Sequence, residues 1–395
     1  MKILMINSVC GIKSTGRICT DLATALEAEG HDVKIGYGRE TVPNQFQKYA
    51  VRIGNESGIK LHGVKARLMD ADGLGSVVAT KRFLRWVKEY NPDVIHLHNL
   101  HGYYINVPLL FQYINENRKK VIWTLHDMWA FTGHSATCDL YNCEKWETGC
   151  RNCLAFRAYP ASFVDRSEKN YHWKKELFTS VRYMTVVTPS SWLAGMVKRS
   201  YLKNHDVVVI HNGIDIKQFK PVETAFRNIY HLENKTLIMG CASRWVERKG
   251  LEDFIRLSDM LDNRYKIMLI GLDIEQIRIL PTTILGIGRT DSVKELAQYY
   301  SAADIFLNLT YADNYPTVNL EALACGRPVI TYNTGGSAEC LNGKNGKAFR
   351  KGDLEGIAHF LNEEYTPSTF EVKENFELDK SVTTSAYLAQ IKKLF

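Results

Sequence analysis

Two cations in the second half of the chain are spaced to bind a phosphate group. Arg244 and Lys249 lie in the segment SRWVERKG, directly after the apolar run Leu237–Ser243, which predicts a strand. At the carboxyl end of a parallel strand, the forked donors of Arg and the point charge of Lys suit a diphosphate. A solvated basic loop explains the same residues, and their spacing alone leaves both interpretations open.

The segment from Thr310 to Pro328 combines a predicted anion site with two carboxylates. It follows a predicted strand, and Pro316 precedes a helix whose first amides would lack acceptors and could bind a phosphate. Those amides belong to Thr317, Val318 and Asn319. Asp313 in the loop and Glu321 in the helix are eight positions apart, so both can point at one ligand. Carboxylates there suit the hydroxyls of a sugar or ribose.

A third candidate phosphate site follows the first apolar run of the chain. The loop NSVCGIKSTGR contains Thr15 and Gly16 just before a helical segment, where backbone amides can meet a phosphate. The loop matches neither the Walker A pattern nor the GxGxxG pattern of dinucleotide-binding folds. A plain turn between strand and helix therefore remains the alternative.

Four of the nine cysteines lie within sixteen residues of one another. They are Cys138, Cys143, Cys150 and Cys153. Four thiolates can close a tetrahedral zinc site, so we predict a structural zinc that orders this segment. Cysteines packed as free thiols, or paired in disulfides, are the alternatives. No catalytic metal is expected, because no set of His or acidic residues accompanies the cysteines.

Histidines occur at the ends of two neighbouring predicted strands. His96 and His98 lie in the last part of one strand, and His101 follows it. The segment TLHD places His126 and Asp127 at the end of the next strand. On a strand, His96 and His98 share one face, which favours packing or contact with a ligand over metal binding. A buried histidine with its hydrogen bonds satisfied inside the core is the alternative for His126.

Short runs rich in Val and Ile alternate with amphipathic segments of helical length through most of the chain. This alternation predicts an α/β fold with parallel sheets, arranged as two doubly wound Rossmann-like domains that face one another across a cleft. We place the domains at residues 1–200 and 201–378, followed by a terminal helix at 379–395 that packs back toward the first domain. The predicted strands are Lys2–Asn7, Asp32–Gly38, Val94–Asn99, Val121–His126, Thr185–Ser190, Val207–Asn212, Leu237–Ser243, Lys266–Gly271, Thr283–Gly288, Ile305–Thr310 and Pro328–Asn333.

The charge of +7 is unevenly distributed, with +9 in residues 1–200 and −2 in residues 201–395. A solvated surface of uneven charge is one interpretation, and contact with lipid headgroups or a diphosphate-linked acceptor is the other. Nucleic acid is not expected as a partner, because the basic residues are scattered. The candidate headgroup contacts are Arg82, Arg85, Lys174, Lys175, Lys198 and Arg199.

No apolar run reaches the ~18–20 residues of a membrane span, and the opening MKILMI lacks the features of a signal peptide. We therefore expect a cytoplasmic protein that contacts the inner face of the membrane.

Several of these segments together resemble a known enzyme family. The Asp313–Glu321 segment is similar to the E-x7-E signature of retaining GT-B glycosyltransferases of family 4, SRWVERKG to their paired Arg and Lys, and HNGID to their interdomain turn. In the first half, STGRI, NPDVIHLHNLHGYYIN, TLHDMWAFTGH and CEKWETGC resemble bacterial capsular and exopolysaccharide glycosyltransferases. The resemblance extends over almost the whole chain.

The resemblance implies a role for each matched residue of the second half. Arg244 and Lys249 would neutralise the leaving diphosphate, and Glu321 would bind the ribose of the nucleotide. Asp313 stands where the family usually has Glu, so a shorter side chain would bind the hydroxyls of the donor sugar.

In the first half, the resemblance makes Thr15 and Gly16 part of a flexible loop that closes over the phosphates. His126 would lie beside the reacting sugar. Contact with the acceptor is expected at His98, His126 and Asp127.

The expected activity is transfer of a sugar, with retention, from a UDP-sugar to a hydroxyl of a saccharide linked to undecaprenyl diphosphate. Neither a catalytic cofactor nor a divalent metal is expected, because Arg244, Lys249 and the helix start would balance the charge of the diphosphate. A nucleotide-sugar epimerase or a sugar-phosphate synthase on the same fold is one alternative. An inactive saccharide-binding scaffold is the other.

Overall fold

The computed structural model describes residues 1–290, 292–373 and 376–395, without the side chain of Phe376. The chain forms two compact units. The first contains Met1–His211 and Thr383–Phe395, and the second contains Asn212–Val382. None of the described helices combines the length and apolar composition that a membrane span requires.

The first unit contains a seven-stranded parallel sheet with the order β3-β2-β1-β4-β5-β6-β7. The order reverses between β1 and β4, and open α/β sheets bind ligands at the carboxyl ends of strands beside such a reversal. The strands are β1 Lys2–Ile6, β2 Asp32–Tyr37, β3 Ala50–Arg52, β4 Val94–Leu97, β5 Lys120–Thr124, β6 Met184–Thr188 and β7 Asp206–Val209.

Helices bury apolar stripes against this sheet. In α1, Cys19, Leu22, Ala23 and Leu26 recur at helical spacing and are at most 1% exposed, beside the fully buried Ile3 of β1. The helices of this part of the chain are α1 Lys13–Ala28, α2 Glu56–Met69, α3 Val77–Tyr90, α4 Val107–Glu116, α5 Ser167–Thr179 and α6 Ser191–Arg199.

The second unit contains a six-stranded parallel sheet with the order β10-β9-β8-β11-β12-β13. Its order reverses between β8 and β11, which places the loops after these two strands side by side. The strands are β8 Thr236–Cys241, β9 Tyr265–Ile270, β10 Ile284–Ile287, β11 Ile305–Asn308, β12 Val329–Tyr332 and β13 Gly346–Phe349.

The helices of the second unit begin at polar caps in several places. Ser292 Oγ accepts a hydrogen bond from the amide of Glu295 at 3.1 Å, and Asp273 forms a capping box with Gln276. The helices are α7 Phe226–Ile229, α8 Leu251–Met260, α9 Ile274–Arg278, α10 Val293–Ala302, α11 Thr317–Ala324 and α12 Leu354–His359.

The C-terminal helix α13, Lys380–Lys393, packs on the first sheet through its second half. Tyr387 and Ile391 are at most 2% exposed, and the Tyr387 hydroxyl shares a hydrogen bond of 3.0 Å with Thr124 Oγ1 of β5. Burial of these apolar residues attaches residues 383–395 to the first unit.

The structure differs from the sequence-based prediction at three strands. The strand predicted at Val207–Asn212 as the beginning of the second domain is β7 of the first sheet, because its residues pair in parallel with β6. The contacts divide the chain after His211, whereas the prediction placed the boundary at residue 200. The short strands β3 and β13 were not predicted, since neither contains an apolar run of typical length.

Candidate functional site

The predicted donor-site residues of the second unit meet at the carboxyl ends of β8 and β11. Lys249 follows β8, Asp313 follows β11, and Lys249 Nζ donates to Asp313 Oδ2 at 2.6 Å. These side chains are 17% and 21% exposed, so the pair is only partly solvated. Arg248 adds a second cation, with Nη1 at 3.9 Å from Asp313 Oδ2 and donating to the carbonyl of Ala312 at 2.8 Å.

The charge of Asp313 depends on these two cations. Burial alone would raise the pKa of its carboxyl group, but the nearby charges of Lys249 and Arg248 hold the pKa below its ordinary value. Asp313 is therefore ionised at neutral pH and accepts hydrogen bonds only.

Two glycines bring the loops that carry this pair into close contact. Gly250, at φ +73°, lies against the carbonyl oxygen of Leu309, and Gly335, at φ +56°, lies against that of Asp313. A Cβ atom at either position would overlap the facing oxygen, and both backbones adopt a left-handed conformation that favours glycine. The Asp313 carbonyl also accepts a hydrogen bond from the amide of Gly336 at 3.3 Å.

Arg244 lies on the same loop after β8 with its side chain exposed to solvent. Within the part of the chain that the structure describes, its guanidinium has no hydrogen-bond or ion-pair partner. The five donors of Arg244 are thus available to an anionic ligand.

The start of α11 offers two amides rather than the predicted three. The amide of Asn319 donates to the carbonyl of Pro316 at 3.2 Å, so the prediction that it is unpaired is wrong. The Asn319 side chain is also fully buried, with Nδ2 donating to the Ser337 carbonyl at 2.9 Å. The amides of Thr317 and Val318 have no acceptor among the described residues and remain candidates for a phosphate.

Glu321 is 8% exposed, and its Oε2 accepts a hydrogen bond from the Tyr300 hydroxyl at 2.9 Å. The thiol of Cys241, at the end of β8, lies within electrostatic range of both Glu321 and Lys249. Burial, with a contribution from Glu321, raises the pKa of Cys241 to about 12. Glu321 and Lys249 therefore approach the same end of β8 from two elements.

In the first unit, Thr15 and Gly16 lie within the first turns of α1 and not in a loop before it. Thr15 Oγ1 accepts a hydrogen bond from Asn7 Nδ2 at 3.3 Å, and the carbonyl of Gly16 accepts one from the Gly11 amide at 3.1 Å. The loop that follows β1 therefore ends before Lys13. Gly11 lies in this loop and adopts a positive φ of +74°. The phosphate-closing role of Thr15 and Gly16 remains a prediction.

The predicted acceptor histidines lie side by side after β4 and β5. His98 Nδ1 and His126 Nε2 share a hydrogen bond of 3.0 Å, and their rings stack. Burial lowers the pKa of His126 to about 4 and that of His98 well below its ordinary value, so both rings are neutral at pH 7. His96 packs against His98 in turn, with ring centroids 4.2 Å apart.

Asp127 forms a hydrogen-bonded pair with His101 next to these rings. His101 Nε2 lies 2.8 Å from Asp127 Oδ2, and Asp127 Oδ1 accepts a hydrogen bond from the amide of Trp129 at 2.9 Å. Burial acts to lower the pKa of His101, but the charge of Asp127 raises it above its ordinary value overall. His98, His101, His126 and Asp127 border a cavity of about 10 Å³, with room for about one water molecule.

The four clustered cysteines do not form a metal site. All are free thiols, and among the described residues no group of three or more His, Cys, Asp or Glu side chains is placed to hold a metal ion. Burial raises the pKa of Cys150 to about 11 and of Cys153 to about 12, so both keep their protons at neutral pH. The predicted zinc is therefore not supported, and the alternative of free packed cysteines fits the structure.

Lys174 was expected at a lipid surface, and that prediction is wrong. Its side chain is 2% exposed, and Nζ donates to the carbonyls of Trp129 at 2.9 Å and Thr132 at 3.2 Å. The ammonium also lies 3.6 Å from the centroid of the Trp129 ring. The other five candidates are exposed, namely Arg82, Arg85, Lys175, Lys198 and Arg199.

Sequence reasoning missed two residues of the second-unit site. Arg248 stands between the two selected cations, and nothing in SRWVERKG indicates that its guanidinium turns toward Asp313. Tyr300 lies in α10, twenty-one positions before the carboxylate that it contacts. No local pattern links such distant positions.

Comparison with known proteins identifies the family of this chain. The family model described as Glycosyltransferase Family 4 matches residues 15–218, more than half of the chain, and that of Glycosyl transferases group 1 matches residues 236–364. A putative colanic acid biosynthesis glycosyl transferase, WcaC, of Escherichia coli K12 is 24% identical over 344 residues, which cover 84% of this chain and 82% of the relative.

The chain is also similar to part of a second bacterial glycosyltransferase and to a solved structure. The N,N'-diacetylbacillosaminyl-diphospho-undecaprenol alpha-1,3-N-acetylgalactosaminyltransferase of Campylobacter jejuni is 24% identical over 152 residues, or 36% of this chain and 40% of that protein. The structure of Anabaena HepE in complex with UDP superimposes with a TM-score of 0.70 at 16% identity over the full length of both chains. With the two doubly wound parallel sheets, this likeness confirms the predicted GT-B fold. The chain belongs to glycosyltransferase family 4.

Proposed function

We propose that the chain transfers a sugar from a UDP-sugar to a hydroxyl of a lipid-linked saccharide during the synthesis of a surface polysaccharide. The observation that carries the proposal is the Lys249–Asp313 pair at the reversal point of the second sheet, beside the start of α11 and on the loop that also carries Arg244, which has no partner among the described residues. The E. coli relative is named for colanic acid biosynthesis, and HepE holds UDP on the same fold.

The leaving diphosphate would bind to the cations and to the two open amides of α11. As the bond between the anomeric carbon and the phosphate oxygen breaks, negative charge grows on the diphosphate. Arg244 has no partner in the described part of the chain that it would have to release, and Lys249 is fixed in place by Asp313. Preorganised positive charge of this kind stabilises a transition state without reorganisation during the reaction.

Asp313 and Glu321 would hold hydroxyl groups of the donor. Asp313 is ionised and partly exposed beside Lys249, so a sugar hydroxyl can donate to it while the phosphate binds the ammonium. Glu321 is more deeply buried and would meet the ribose hydroxyls. The reaction would retain the configuration of the anomeric carbon, with the acceptor oxygen attacking from the face that the phosphate leaves and the phosphate taking the acceptor proton.

The acceptor would bind at the carboxyl edge of the first sheet, next to His98, His126 and Asp127. The neutral rings of His98 and His126 can exchange hydrogen bonds with sugar hydroxyls without adding charge. The Campylobacter relative is named for a substrate linked to diphospho-undecaprenol. This name supports an undecaprenyl diphosphate carrier for the acceptor proposed here.

A carrier of this kind places the enzyme at the membrane surface, and α2 offers a contact for it. Leu61, Val64 and Leu68 are 71%, 53% and 56% exposed and lie at the spacing of one helix face. An apolar stripe bordered by cations is typical of helices that lie in the headgroup region of an anionic membrane. The exposed bordering cations are Lys60, Lys65 and Arg67.

The proposal is tested by incubating the purified chain with UDP-, GDP- and dTDP-sugars, with and without undecaprenyl-diphosphate-linked saccharides. We expect release of UDP that rises with one acceptor, and an α-linked product in NMR spectra if the donor is α-linked. Arg244→Ala should reduce kcat/KM by about 10–150-fold, because hydrogen bonds to a charged group contribute about 1.5–3 kcal/mol. Arg264→Ala, at an exposed arginine of the same unit, is the matched control and should leave the rate unchanged.

Three outcomes contradict the proposal. Interconversion of nucleotide sugars without an acceptor indicates an epimerase, and transfer to a free sugar phosphate indicates a synthase. Binding of saccharide without any turnover or nucleotide binding indicates an inactive scaffold.

A further inference from the structure

The loop between α2 and α3 carries two buried acidic residues that differ in their partners. Asp70 is 3% exposed, with Oδ1 at 2.6 Å from His134 Nδ1 and Oδ2 accepting a hydrogen bond from the Arg166 amide at 2.9 Å. Both of its oxygens are satisfied within the protein. Asp72 is 7% exposed, and among the described residues neither of its oxygens has a hydrogen-bond partner.

This lack of partners sets Asp72 apart from the other buried acids. Asp253 accepts hydrogen bonds from the hydroxyls of Tyr311 and Tyr332, and Glu321 accepts one from Tyr300. Asp70 is bonded as above. A buried carboxylate is costly to leave unpaired, so the lone Asp72 points to a partner supplied from outside the chain.

Two histidines near Asp72, His62 and His101, use both of their ring nitrogens for hydrogen bonds to other groups. His62 Nε2 accepts a hydrogen bond from the Gly75 amide at 2.9 Å, which leaves the proton on Nδ1, facing Ser76 Oγ at 3.0 Å. His101 uses one nitrogen for Asp127 and the other for the hydroxyl of Tyr159. Within the part of the chain that the structure describes, the surroundings of Asp72 therefore supply charge but no hydrogen bond.

Lys174 balances the charge of Asp72 from a distance. Desolvation lowers the pKa of Lys174 to about 8, and among the acidic residues that oppose this shift Asp72 contributes most. Within the described chain the two side chains do not form an ion pair, since the Lys174 ammonium binds backbone carbonyls. Because Lys174 and Asp72 do not touch, both oxygens of Asp72 lack a donor among the described residues, although both are shielded from bulk solvent.

Two tyrosines lie near this carboxylate, within range of its charge. Tyr103 follows β4, and its ring meets that of His62 at 5.8 Å between centroids. Tyr159 is 47% exposed and packs on His101 at 5.5 Å between centroids. Burial, with a contribution from the charge of Asp72, raises the pKa of Tyr103 to about 12. Aromatic rings around a carboxylate suit the apolar faces and hydroxyls of a sugar.

We propose that Asp72, whose oxygens are shielded from solvent in the absence of a ligand, binds hydroxyl groups of the acceptor saccharide near the rings of Tyr103 and Tyr159. This inference rests on the proposed function, because it names a specificity-determining residue for the acceptor. A phosphate is disfavoured, since Asp72 and Asp127 would repel it. A divalent cation is disfavoured by the nearby Lys174 and by the lack of a third acidic or imidazole ligand grouped with Asp72 among the described residues.

The test compares Asp72→Asn with Asp70→Asn in the full chain. The probes are p-nitrophenyl glycosides of glucose, galactose and fucose, with binding followed by saturation-transfer NMR, and UDP, with binding followed by calorimetry. We expect Asp72→Asn to weaken the best glycoside at least tenfold. Asp70→Asn should lower Tm, because its NH2 group would face the donor of either His134 or Arg166, and should change glycoside affinity less than threefold.

UDP binding separates failure of this inference from failure of the proposed function. If UDP does not bind the wild-type chain, the proposed function is refuted. If UDP binds but no glycoside does, or if Asp72→Asn binds glycosides as the wild type does, the assignment of Asp72 is refuted. A fall in Tm for Asp72→Asn with unchanged glycoside affinity would show that it serves only as the counter-charge of Lys174. Stabilisation of the wild type by Mg²⁺ alone, lost in Asp72→Asn, would indicate a cation site instead.

Discussion

Replacing Asp313 by Asn tests whether the donor site depends on a preorganised ion pair. The 2.6 Å bond between Lys249 Nζ and Asp313 Oδ2 joins two charged groups that are each about one-fifth exposed. Hydrogen bonds to charged groups contribute about 1.5–3 kcal/mol, and about 1.4 kcal/mol corresponds to a factor of ten. If Lys249 must be held in place to bind the diphosphate, Asp313→Asn should lower kcat/KM for the UDP-sugar by about 10–150-fold.

The assay combines steady-state kinetics with calorimetric binding of UDP and of the intact UDP-sugar. UDP affinity should fall with Asp313→Asn, because the loss acts through Lys249 as well as through the sugar. Asp313→Glu keeps the charge, so UDP should bind nearly as in the wild type while the KM for the UDP-sugar changes. Asp262→Asn is the control, since its pair with Arg264 is exposed and lies at the amino end of β8, opposite the end that carries Lys249.

Two results would refute this reasoning. If Asp313→Asn binds UDP as tightly as the wild type, Asp313 acts on the sugar alone and does not orient Lys249. If Asp313→Glu and Asp313→Asn lose the same UDP affinity, side-chain length and not charge is decisive.

The pH dependence gives a further check. Because the pKa of Asp313 is depressed, its stabilisation is present above the ordinary carboxyl pKa and is lost as pH falls through the folded pKa. The Tm deficit of Asp313→Asn should therefore disappear in acid.

Three further predictions concern the first unit. Because burial lowers the pKa of His126 to about 4, its ring resonances should not move in NMR spectra between pH 8 and 5.5, and a transition near 6.5 would contradict its burial. The pKa of His101 is raised by Asp127, so the pair stabilises the fold below the ordinary histidine pKa and less as pH rises through the folded one. Asp127→Asn should thus lower Tm more at pH 6 than at pH 9, and equal deficits would argue against a charged pair. Leu61→Asp should reduce sedimentation with anionic liposomes at low salt. Ile274→Asp in α9 is the control, because Ile274 is about as exposed as Leu61, and it should not reduce sedimentation. Equal loss in both would rule out α2 as the contact.

The sheets could be predicted because their strands are buried on both faces. Runs such as Ile3–Ile6 and Ile267–Ile270 are continuous and apolar, which distinguishes them from the amphipathic helices between them. The membership of β7 could not be predicted in the same way. Val207–Val209 contains a strand signal but no indication of which sheet it joins, and that is decided by pairing with β6.

The position of the candidate donor-site residues at the ends of strands also followed from the sequence, but their contacts did not. Arg244, Lys249 and Asp313 were selected because they follow predicted strands, and the reversal between β8 and β11 brings Lys249 and Asp313 together, with Arg244 on the same loop as Lys249. The bond between Lys249 and Asp313 joins positions 64 residues apart. Its geometry depends on two loops and on glycines that let their backbones approach, and no sequence period encodes that. The Asn319 amide was misjudged for a similar reason, because a tight first turn returned it to Pro316.

The two units differ in how the acids proposed to bind ligands are satisfied without a ligand. In the second unit, Asp313 and Glu321 already have protein donors, so under the proposed function a bound sugar or ribose would share them with Lys249 and Tyr300. Asp72 in the first unit has no such donor among the described residues, and a hydroxyl ligand would be its first partner. Substitution of Asp313 should therefore disturb both the resting site and the bound state. Substitution of Asp72 should chiefly reduce the binding of a saccharide. For that residue, a comparison of the protein with and without bound glycoside is therefore the more sensitive measurement.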